Sequence, residues 1–317
     1  MQLQSSSRLV AGNDSSFKFL ERKLASHKSQ ESALIFPTGY MANLGLISML
    51  AEKNDLILSD ELNHASIIDA CRLSGAKISV YKHNDIVDLN KKIQQKSNKK
   101  FIITEGIFSM NGDFAKLKEI SDVASRSNSL LILDDAHGDF VVGQDGKGSA
   151  AHFGVAREVD AYVSSMSKGL GAFGGYVASR SEIIDLTVNT SRSFIYTSAL
   201  PNVIVHLATQ RFLAKRESRR KKLWINTKKM KTGLQSLGYE VDSQSQIIPI
   251  TIGSEKKALA FGKYLFKNGI FAQPVRYPTV ALGSARIRVS ITAWLEDEHI
   301  EKSLSVFESA SKKFDIS

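Results

Sequence analysis

The 317-residue chain has a single cysteine and five prolines, and aromatic residues make up only 8% of it. Because Cys71 has no second cysteine to pair with, a small secreted fold held by internal disulfides is excluded. The few prolines argue against long proline-rich linkers, and the opening MQLQSSSRLV lacks the features of a signal peptide. The remaining composition, 43% hydrophobic and 23% charged, indicates a globular protein with one large domain, or one large and one small domain.

A membrane span is also not expected. The longest uncharged run, residues 32–51, has twenty residues and is long enough on paper to cross a bilayer. It contains Pro37, Gly39 and Gly45, so a strand, a turn and a buried helix are the better interpretation. The expected location is the cytoplasm.

The net charge of +10 arises from 42 basic and 32 acidic residues. Basic residues cluster at 91–100, 215–224 and 227–231, without interleaved aromatic residues or a zinc-finger or homeodomain signature. A solvated surface is the favoured interpretation. A docking site for an acidic partner, such as a coenzyme A or carrier-protein substrate, stays open, and nucleic acid is the least favoured partner.

The pattern of apolar runs predicts the fold class. Between about residues 32 and 180, short apolar runs alternate with amphipathic segments, as in a mostly parallel α/β sheet covered on both faces. A helix should begin near Asp14, and a long one over 201–237 should follow Pro201. The predicted organisation is an amino-terminal helical segment, a large domain, a linking helix and a small carboxyl-terminal α/β domain, at residues 1–31, 32–200, 201–237 and 238–317.

Three segments contain groups that could take part in catalysis or bind a phosphate. Asp134 stands at the carboxyl end of an apolar run, with His137 three residues later. Lys168 follows another apolar run and precedes four closely spaced glycines, where a lysine can become a nucleophile. Gly39 opens a helix whose first backbone N–H groups suit a phosphate. Taken alone, each segment also fits a purely structural interpretation: a capping aspartate with a surface histidine, a loop lysine, or an ordinary strand–turn–helix junction.

Together, an amine, a carboxylate and a phosphate-binding helix terminus are what pyridoxal 5′-phosphate (PLP) requires. The chain resembles the α-oxoamine synthases, PLP enzymes of the aspartate aminotransferase fold (fold type I). The matching stretches are SSRLVAGN (6–13), FPTGYMANLG (36–45), LNHASIIDA (62–70), HND (83–85), FSMNGD (108–113), LDDAHG (133–138), SMSKGLGAFGG (165–175), YTSALP (196–201) and YPTVALGSARIR (277–288).

The resemblance implies roles for the catalytic group. Lys168 would hold PLP through a Schiff base and later remove the α-proton of the substrate. Asp134 would pair with the ring nitrogen, and His137 and Ser109 would hydrogen-bond the phenolic oxygen. His64 would stack on the ring, although a histidine packed in the core, with a purely structural role, is the alternative.

The resemblance also implies binding residues. Gly39 and Tyr40 would bind the phosphate through their backbone, and Ser165 through its hydroxyl. Thr197 and Ser198 would reach the phosphate from the neighbouring subunit, which implies a homodimer with shared sites.

On the substrate side, Arg288 would bind the amino-acid carboxylate, and Arg276 and Thr279 would contact substrate. A surface pair of Arg286 and Arg288 is the alternative for that strand. No metal site is expected.

Two departures from the family pattern stand out. The N-Y-L-G-L-like segment with which relatives usually begin does not precede the opening residues, so we expect this segment to be missing. Trp294 stands where the family usually has a histidine.

The implied activity is a decarboxylative condensation of an amino acid with an acyl thioester. The favoured reaction joins L-alanine to a pimeloyl thioester, carried by coenzyme A or a carrier protein, to form 8-amino-7-oxononanoate in biotin biosynthesis. The alternatives are a glycine C-acetyltransferase (2-amino-3-ketobutyrate ligase) or another α-oxoamine synthase, and, from another class, a catalytically silent PLP-binding homologue.

Overall fold

The computed structural model describes residues 6–214 and 216–316, which form two compact units. The first unit contains the described residues up to Phe108 and Phe114–Ala214. The second unit contains Ser109–Asp113 and the described residues from Arg216 onward. A short segment of the chain therefore leaves the first unit and belongs to the second, where the Gln244 N–H donates to the Gly112 carbonyl at 3.2 Å.

The first unit is built on a seven-stranded sheet in the order β1-β7-β6-β5-β4-β2-β3. Strands β2 to β6 pair in parallel, whereas β7 is antiparallel to both of its neighbours, β6 and β1. The sheet is therefore mostly parallel, as predicted. The strands are β1 (Ser32–Phe36), β2 (Leu56–Asp60), β3 (Lys77–Tyr81), β4 (Lys100–Glu105), β5 (Leu130–Asp134), β6 (Ala161–Ser165) and β7 (Gly175–Ser179).

Helices cover both faces of this sheet. In β5, Leu131 and Leu133 belong to one buried apolar cluster and Ile132 to another, because successive side chains of a strand point to opposite faces. The two clusters explain why the strands appear in the sequence as continuous apolar runs. The helices are α1 (Ser15–Lys28), α2 (Gly39–Leu50), α3 (Ala65–Ser74), α4 (Ile86–Lys92), α5 (Leu117–Arg126), α6 (Ser149–Phe153), α7 (Ser181–Thr190), α8 (Arg192–Ile195) and α9 (Asn202–Leu213).

The second unit has its own antiparallel sheet of three strands and its own core. Helix α10 (Glu217–Ser236) precedes β8 (Ile247–Gly253), α11 (Glu255–Lys267), β9 (Gln273–Val275), β10 (Ala285–Ser290) and α12 (Asp297–Phe314), and the strand order is β8-β10-β9. Ile250, Ile287, Phe261 and Phe307 are buried together in its core. This unit is the small carboxyl-terminal α/β element that the sequence predicts.

The single long helix predicted over 201–237 is wrong. Helix α9 ends at Leu213, and Ala214 has an extended backbone (φ −66°, ψ 136°) that cannot continue the helix. Helix α10 begins only at Glu217 and belongs to the second unit. No glycine or proline marks this break, so the helical pattern runs through it undisturbed. Pro201 is the residue that precedes α9 rather than its first helical residue.

No helix in the described part of the chain combines the length and apolarity needed to cross a membrane.

Candidate active site

Lys168 lies on the loop that joins β6 to β7. The loop closes through its own backbone: Met166 N–H donates to the Gly174 carbonyl at 2.9 Å, and Gly171 N–H donates to the Lys168 carbonyl at 3.0 Å. Gly171 and Gly174 have φ values of +66° and +117°, a region that residues with a Cβ rarely adopt. The glycines therefore allow a tight loop that leaves the Lys168 side chain exposed.

The Lys168 amine is in direct contact with His137. The distance between Lys168 Nζ and His137 Nε2 is 2.9 Å. His137 is half-buried on the turn after β5, where the Asp139 N–H donates to the Asp135 carbonyl at 2.8 Å. The structure thus brings together two predicted site residues that lie 31 positions apart in the sequence.

Asp134, at the end of β5, is buried and accepts hydrogen bonds from neutral donors. Asn43 Nδ2 donates to its Oδ2 at 2.6 Å, and the Ala136 N–H donates to its Oδ1 at 3.0 Å. A buried carboxylate is costly unless a cation or several donors balance it. This carboxylate is therefore suited to a ligand that brings a positively charged N–H group.

A chain of hydrogen bonds leads from Asp134 to His64. The same Asn43 amide also donates to Ser66 Oγ at 2.9 Å, and the Ser66 hydroxyl lies 2.8 Å from His64 Nδ1. Asn43 and Ser66 are both buried. The sequence did not assign either residue a role, although both fall within stretches that carry the family resemblance.

His64 caps the amino terminus of α3 and is held in one tautomer. The Ser66 N–H donates to Nδ1 at 3.2 Å, so Nδ1 is an acceptor and the proton of the neutral ring is on Nε2. Desolvation lowers the pKa of His64 and outweighs the opposing effect of Asp134, while the charge of Lys168 lowers the pKa further. The neutral form of His64 is therefore favoured.

The amino terminus of α2 lies beside the end of β6. Thr38 caps this helix by accepting the Met41 N–H at 3.1 Å, and Gly39 and Tyr40 are its first two residues. Backbone N–H groups at these positions have no partner inside a helix. A Cβ on Gly39 would lie 3.3 Å from Ser165 Cβ, and one on Gly175 would lie 2.4 Å from the Gly39 nitrogen. The missing side chains therefore let the helix terminus sit against the strand ends.

The serines and threonine predicted to bind phosphate occupy two places in the first unit. Ser165 Oγ lies 2.7 Å from Ser167 Oγ. Thr197 and Ser198 precede α9 and line a small cavity together with Arg8. That Thr197 and Ser198 bind the phosphate in a neighbouring subunit stays a prediction.

Ser109 and Arg288 are in contact within the second unit. Arg288 Nε donates to the Ser109 carbonyl at 2.6 Å, and Arg286 Nη1 donates to Asn111 Oδ1 at 2.6 Å. Both arginines lie on the same face of β10 and are half-buried, and burial lowers the pKa of each. The arginines therefore hold the 109–113 segment and are not a free surface pair.

Arg276, Thr279 and Trp294 lie on exposed turns of the second unit. The Thr279 N–H donates to the Arg276 carbonyl at 3.0 Å, which closes a turn after β9. Trp294 is 74% exposed, with the Arg219 guanidinium 5.2 Å from its ring centre. In this position Trp294 forms a cation–π contact and not a buried core contact.

Comparisons with known proteins show to which family the chain belongs. The chain matches the family of class I and II aminotransferases over residues 2–307. It is 42% identical to 8-amino-7-oxononanoate synthase of Thermoanaerobacter pseudethanolicus, over 98% of this chain and 80% of that protein. It is 41% identical to the enzyme of the same name from Treponema denticola, with the same coverage.

Solved structures point to the same fold. A structure of serine palmitoyltransferase with PLP matches with a TM-score of 0.95 at 30% identity, over 99% of this chain and 81% of that one. The chain therefore belongs to the class I and II aminotransferase family, and its resemblance to the α-oxoamine synthases is confirmed. The predicted fold of the PLP-dependent transferases is confirmed as well.

Proposed function

We propose that this protein is a PLP-dependent acyltransferase that condenses L-alanine with a pimeloyl thioester, with loss of carbon dioxide and release of the carrier thiol. The product is 8-amino-7-oxononanoate, an intermediate of biotin biosynthesis. Two relatives named for this activity match 98% of the chain at 41–42% identity, which supports the assignment. The observation that carries it is the exposed Lys168 amine, 2.9 Å from His137, beside the strand that ends in Asp134.

The residues of the first unit fit PLP in three respects. Asp134 is a buried carboxylate with neutral donors, which suits a protonated pyridine nitrogen. The backbone N–H groups of Gly39 and Tyr40 suit a phosphate, and the primary amine of Lys168 suits an aldehyde. When bound, PLP supplies an electron-accepting ring that makes loss of the α-proton of an amino acid accessible.

The side chains of this protein then orient the reactants and move the proton. Lys168 Nζ accepts the α-proton, and His137, in contact with that nitrogen, holds the amine in place and together with Ser109 would bind the phenolic oxygen. His64, neutral and with its proton on Nε2, would cover one face of the ring. Ser165 would add a hydroxyl at the phosphate.

Substrate contacts are proposed for the second unit. Arg288 uses Nε to hold Ser109, and its terminal nitrogens would bind the amino-acid carboxylate, for which a guanidinium has the matching geometry. Arg276 and Thr279, on their exposed turn, would contact the acyl substrate. A homodimer in which Thr197 and Ser198 reach the phosphate of the partner subunit, and a cytoplasmic location, are further parts of this proposal.

A substrate matrix tests the proposal. Purified full-length protein with PLP is supplied with alanine, glycine or serine, each with pimeloyl-CoA, a pimeloyl carrier protein, acetyl-CoA or palmitoyl-CoA, and product and carbon dioxide are measured. We expect turnover only with alanine and a pimeloyl thioester. Product from glycine and acetyl-CoA alone, or from serine and palmitoyl-CoA alone, would instead assign another α-oxoamine synthase activity.

The control variant is Lys168→Ala, which removes the amine but none of the backbone hydrogen bonds of its loop. We expect this variant to lose PLP-lysine absorbance and turnover while unfolding at the same temperature as the wild type. Wild-type protein that binds PLP through Lys168 but makes no product with any pair would overturn the proposal in favour of a silent homologue.

A further inference from the structure

Behind the Lys168–His137 contact, the first unit buries a cluster of charged side chains. Its centre is Asp139, whose carboxylate accepts hydrogen bonds from Ser164 at 2.8 Å, from the Tyr176 hydroxyl at 2.5 Å and from His27 Nε2 at 3.0 Å. Lys28 Nζ lies 2.8 Å from the same carboxylate. The donors come from β6, β7 and the end of α1, so one side chain connects three elements.

A second carboxylate completes the cluster. Lys28 Nζ also donates to Asp135 Oδ2 at 2.9 Å and to the Lys147 carbonyl at 3.0 Å, so all three ammonium hydrogens have acceptors. Asp135 accepts the Ser149 N–H at 3.1 Å. Lys28, Asp135 and Asp139 are all buried, with at most 2% of each residue exposed.

The charges of this cluster depend on one another. Burial alone would raise the pKa of Asp139, but Lys28 and His27 outweigh burial and hold the pKa below its usual value. Burial would likewise lower the pKa of Lys28, yet the two carboxylates raise it. For Asp135, burial dominates and raises the pKa. Lys28 and Asp139 therefore form the ionised pair at the centre of the cluster.

Both partners of the catalytic contact rest on this cluster. His137 lies on the turn between Asp135 and Asp139, the two carboxylates that Lys28 holds. On the other side, a Cβ on Gly169 would lie 2.3 Å from the Asp139 carbonyl oxygen, so the residue after Lys168 is seated against the same turn. A displacement of Asp139 would therefore move the supports of His137 and of Lys168 together.

We propose that His27, Lys28, Asp135, Asp139 and Tyr176, here called the Lys28 network, are positioning residues that set the contact between Lys168 and His137. Buried ion pairs seldom stabilise a fold more than apolar side chains of the same volume would. The charged groups instead orient the backbone, because each of their directional hydrogen bonds fixes the position of a specific turn or strand. The expected change in turnover rests on the proposed function, whereas the expected change in the contact between Lys168 and His137 does not.

The test compares the variants Lys28→Met and Asp139→Asn with a matched control, Asp55→Asn. Asp55 is also a buried carboxylate of the first unit, but it precedes β2 and accepts the N–H groups of Glu52 and Lys99, both at 3.0 Å. The primary measurement is histidine side-chain NMR of the full chain without PLP, with the His137 signals identified by their loss in His137→Gln. We expect the His137 signals to shift in both network variants and to stay unchanged in Asp55→Asn.

The second measurement is steady-state kinetics with PLP. We expect kcat to fall about 10-fold in Asp139→Asn, since small displacements of a reacting group cost rate, while KM for the amino acid changes less than 2-fold. If Lys28→Met does not fold, Tyr176→Phe, which removes one donor to Asp139 and no charge, is measured in its place. His137 signals that stay at their wild-type positions in the network variants would overturn the inference. If the wild type makes no product, the proposed function fails, and the NMR comparison still decides this inference.

Discussion

Asp134 and Asp135 are adjacent in the sequence, and both are buried, but their surroundings differ. Asp135 is paired with Lys28, a cation of the chain itself, at 2.9 Å. Asp134 accepts hydrogen bonds from the Asn43 amide and the Ala136 N–H, which are neutral donors. The chain therefore supplies a cation of its own beside one carboxylate and neutral donors beside its neighbour, although the two positions are adjacent in one motif.

The largest expected effect comes from removing the internal cation. Lys28→Met should lower the free energy of unfolding by about 3–5 kcal/mol, because it leaves two buried carboxylates without their partner. Urea unfolding measures the change. In the matched control, Lys222→Met, the exposed ion pair with Glu296 is lost and the change should be about 0–1 kcal/mol. Equal losses in the two variants would contradict the role of Lys28 as the buried cation that balances Asp135 and Asp139.

The neighbouring carboxylate should affect activity and not stability. Asp134→Asn removes the charge that would balance the ring nitrogen, and we expect kcat/KM to fall about 100- to 1000-fold, the usual effect of losing one electrostatic stabiliser. Unfolding without PLP should change much less than kcat/KM, since the amide oxygen can still accept the Ala136 N–H and Asn43, whose Oδ1 accepts no hydrogen bond from the described residues, can turn that oxygen toward the new NH2 group. Wild-type kcat/KM in this variant would rule out the role of Asp134.

Acid should remove the stabilisation that Asp139 of the Lys28 network gives to the fold. The pKa of Asp139 is lower in the folded state than its ordinary value of 3.8, so its ionised form stabilises the fold above that value and the stabilisation is lost as the pH falls further. Wild-type protein should therefore exceed Asp139→Asn in unfolding free energy by about 2 kcal/mol at neutral pH, with the difference shrinking below pH 3.8. Urea titrations at several pH values measure it, and a difference that does not depend on pH would refute the assignment.

The smallest expected effect belongs to Asn43, which donates to Asp134 and Ser66. Asn43→Ala should weaken PLP binding about 10-fold, because one charged hydrogen bond that orients the carboxylate is lost. Asn226→Ala is the control, since the buried Asn226 amide also makes two hydrogen bonds, to the carbonyls of Thr292 and Leu295 in the second unit. Both variants should lose about 1–3 kcal/mol of stability. An equal loss of PLP affinity in the control would remove the specific role of Asn43.

Much of the fold could be predicted because it depends on local patterns. The apolar run at 130–133 became β5, and the cap at Asp14 became the start of α1, since periodicity and capping act over a few residues. The break at Ala214 had no such local signal. It falls where the chain passes from one unit to the other, which no helical pattern records.

Residues of the candidate site could be predicted only where they lie within recognisable sequence motifs. Lys168, His137 and Asp134 lie in recognisable stretches, and the first two prove to be in contact. Lys28 could not be assigned, because it lies 107 residues from Asp135 and appears in the sequence as one more basic residue on an amphipathic helix. Only the arrangement of the strands shows that this lysine turns inward.

The self-closed loop around Lys168 also has a consequence for folding. Its ends, Met166 and Gly174, are joined by a backbone hydrogen bond across nine residues, so the entropy lost in closing it is small. Lys168 is thus placed by short-range order that hairpin formation between β6 and β7 can supply early. Its partner His137, on the turn after β5, lies 31 residues away in the sequence, so their contact depends on pairing over a longer separation, which closes more slowly.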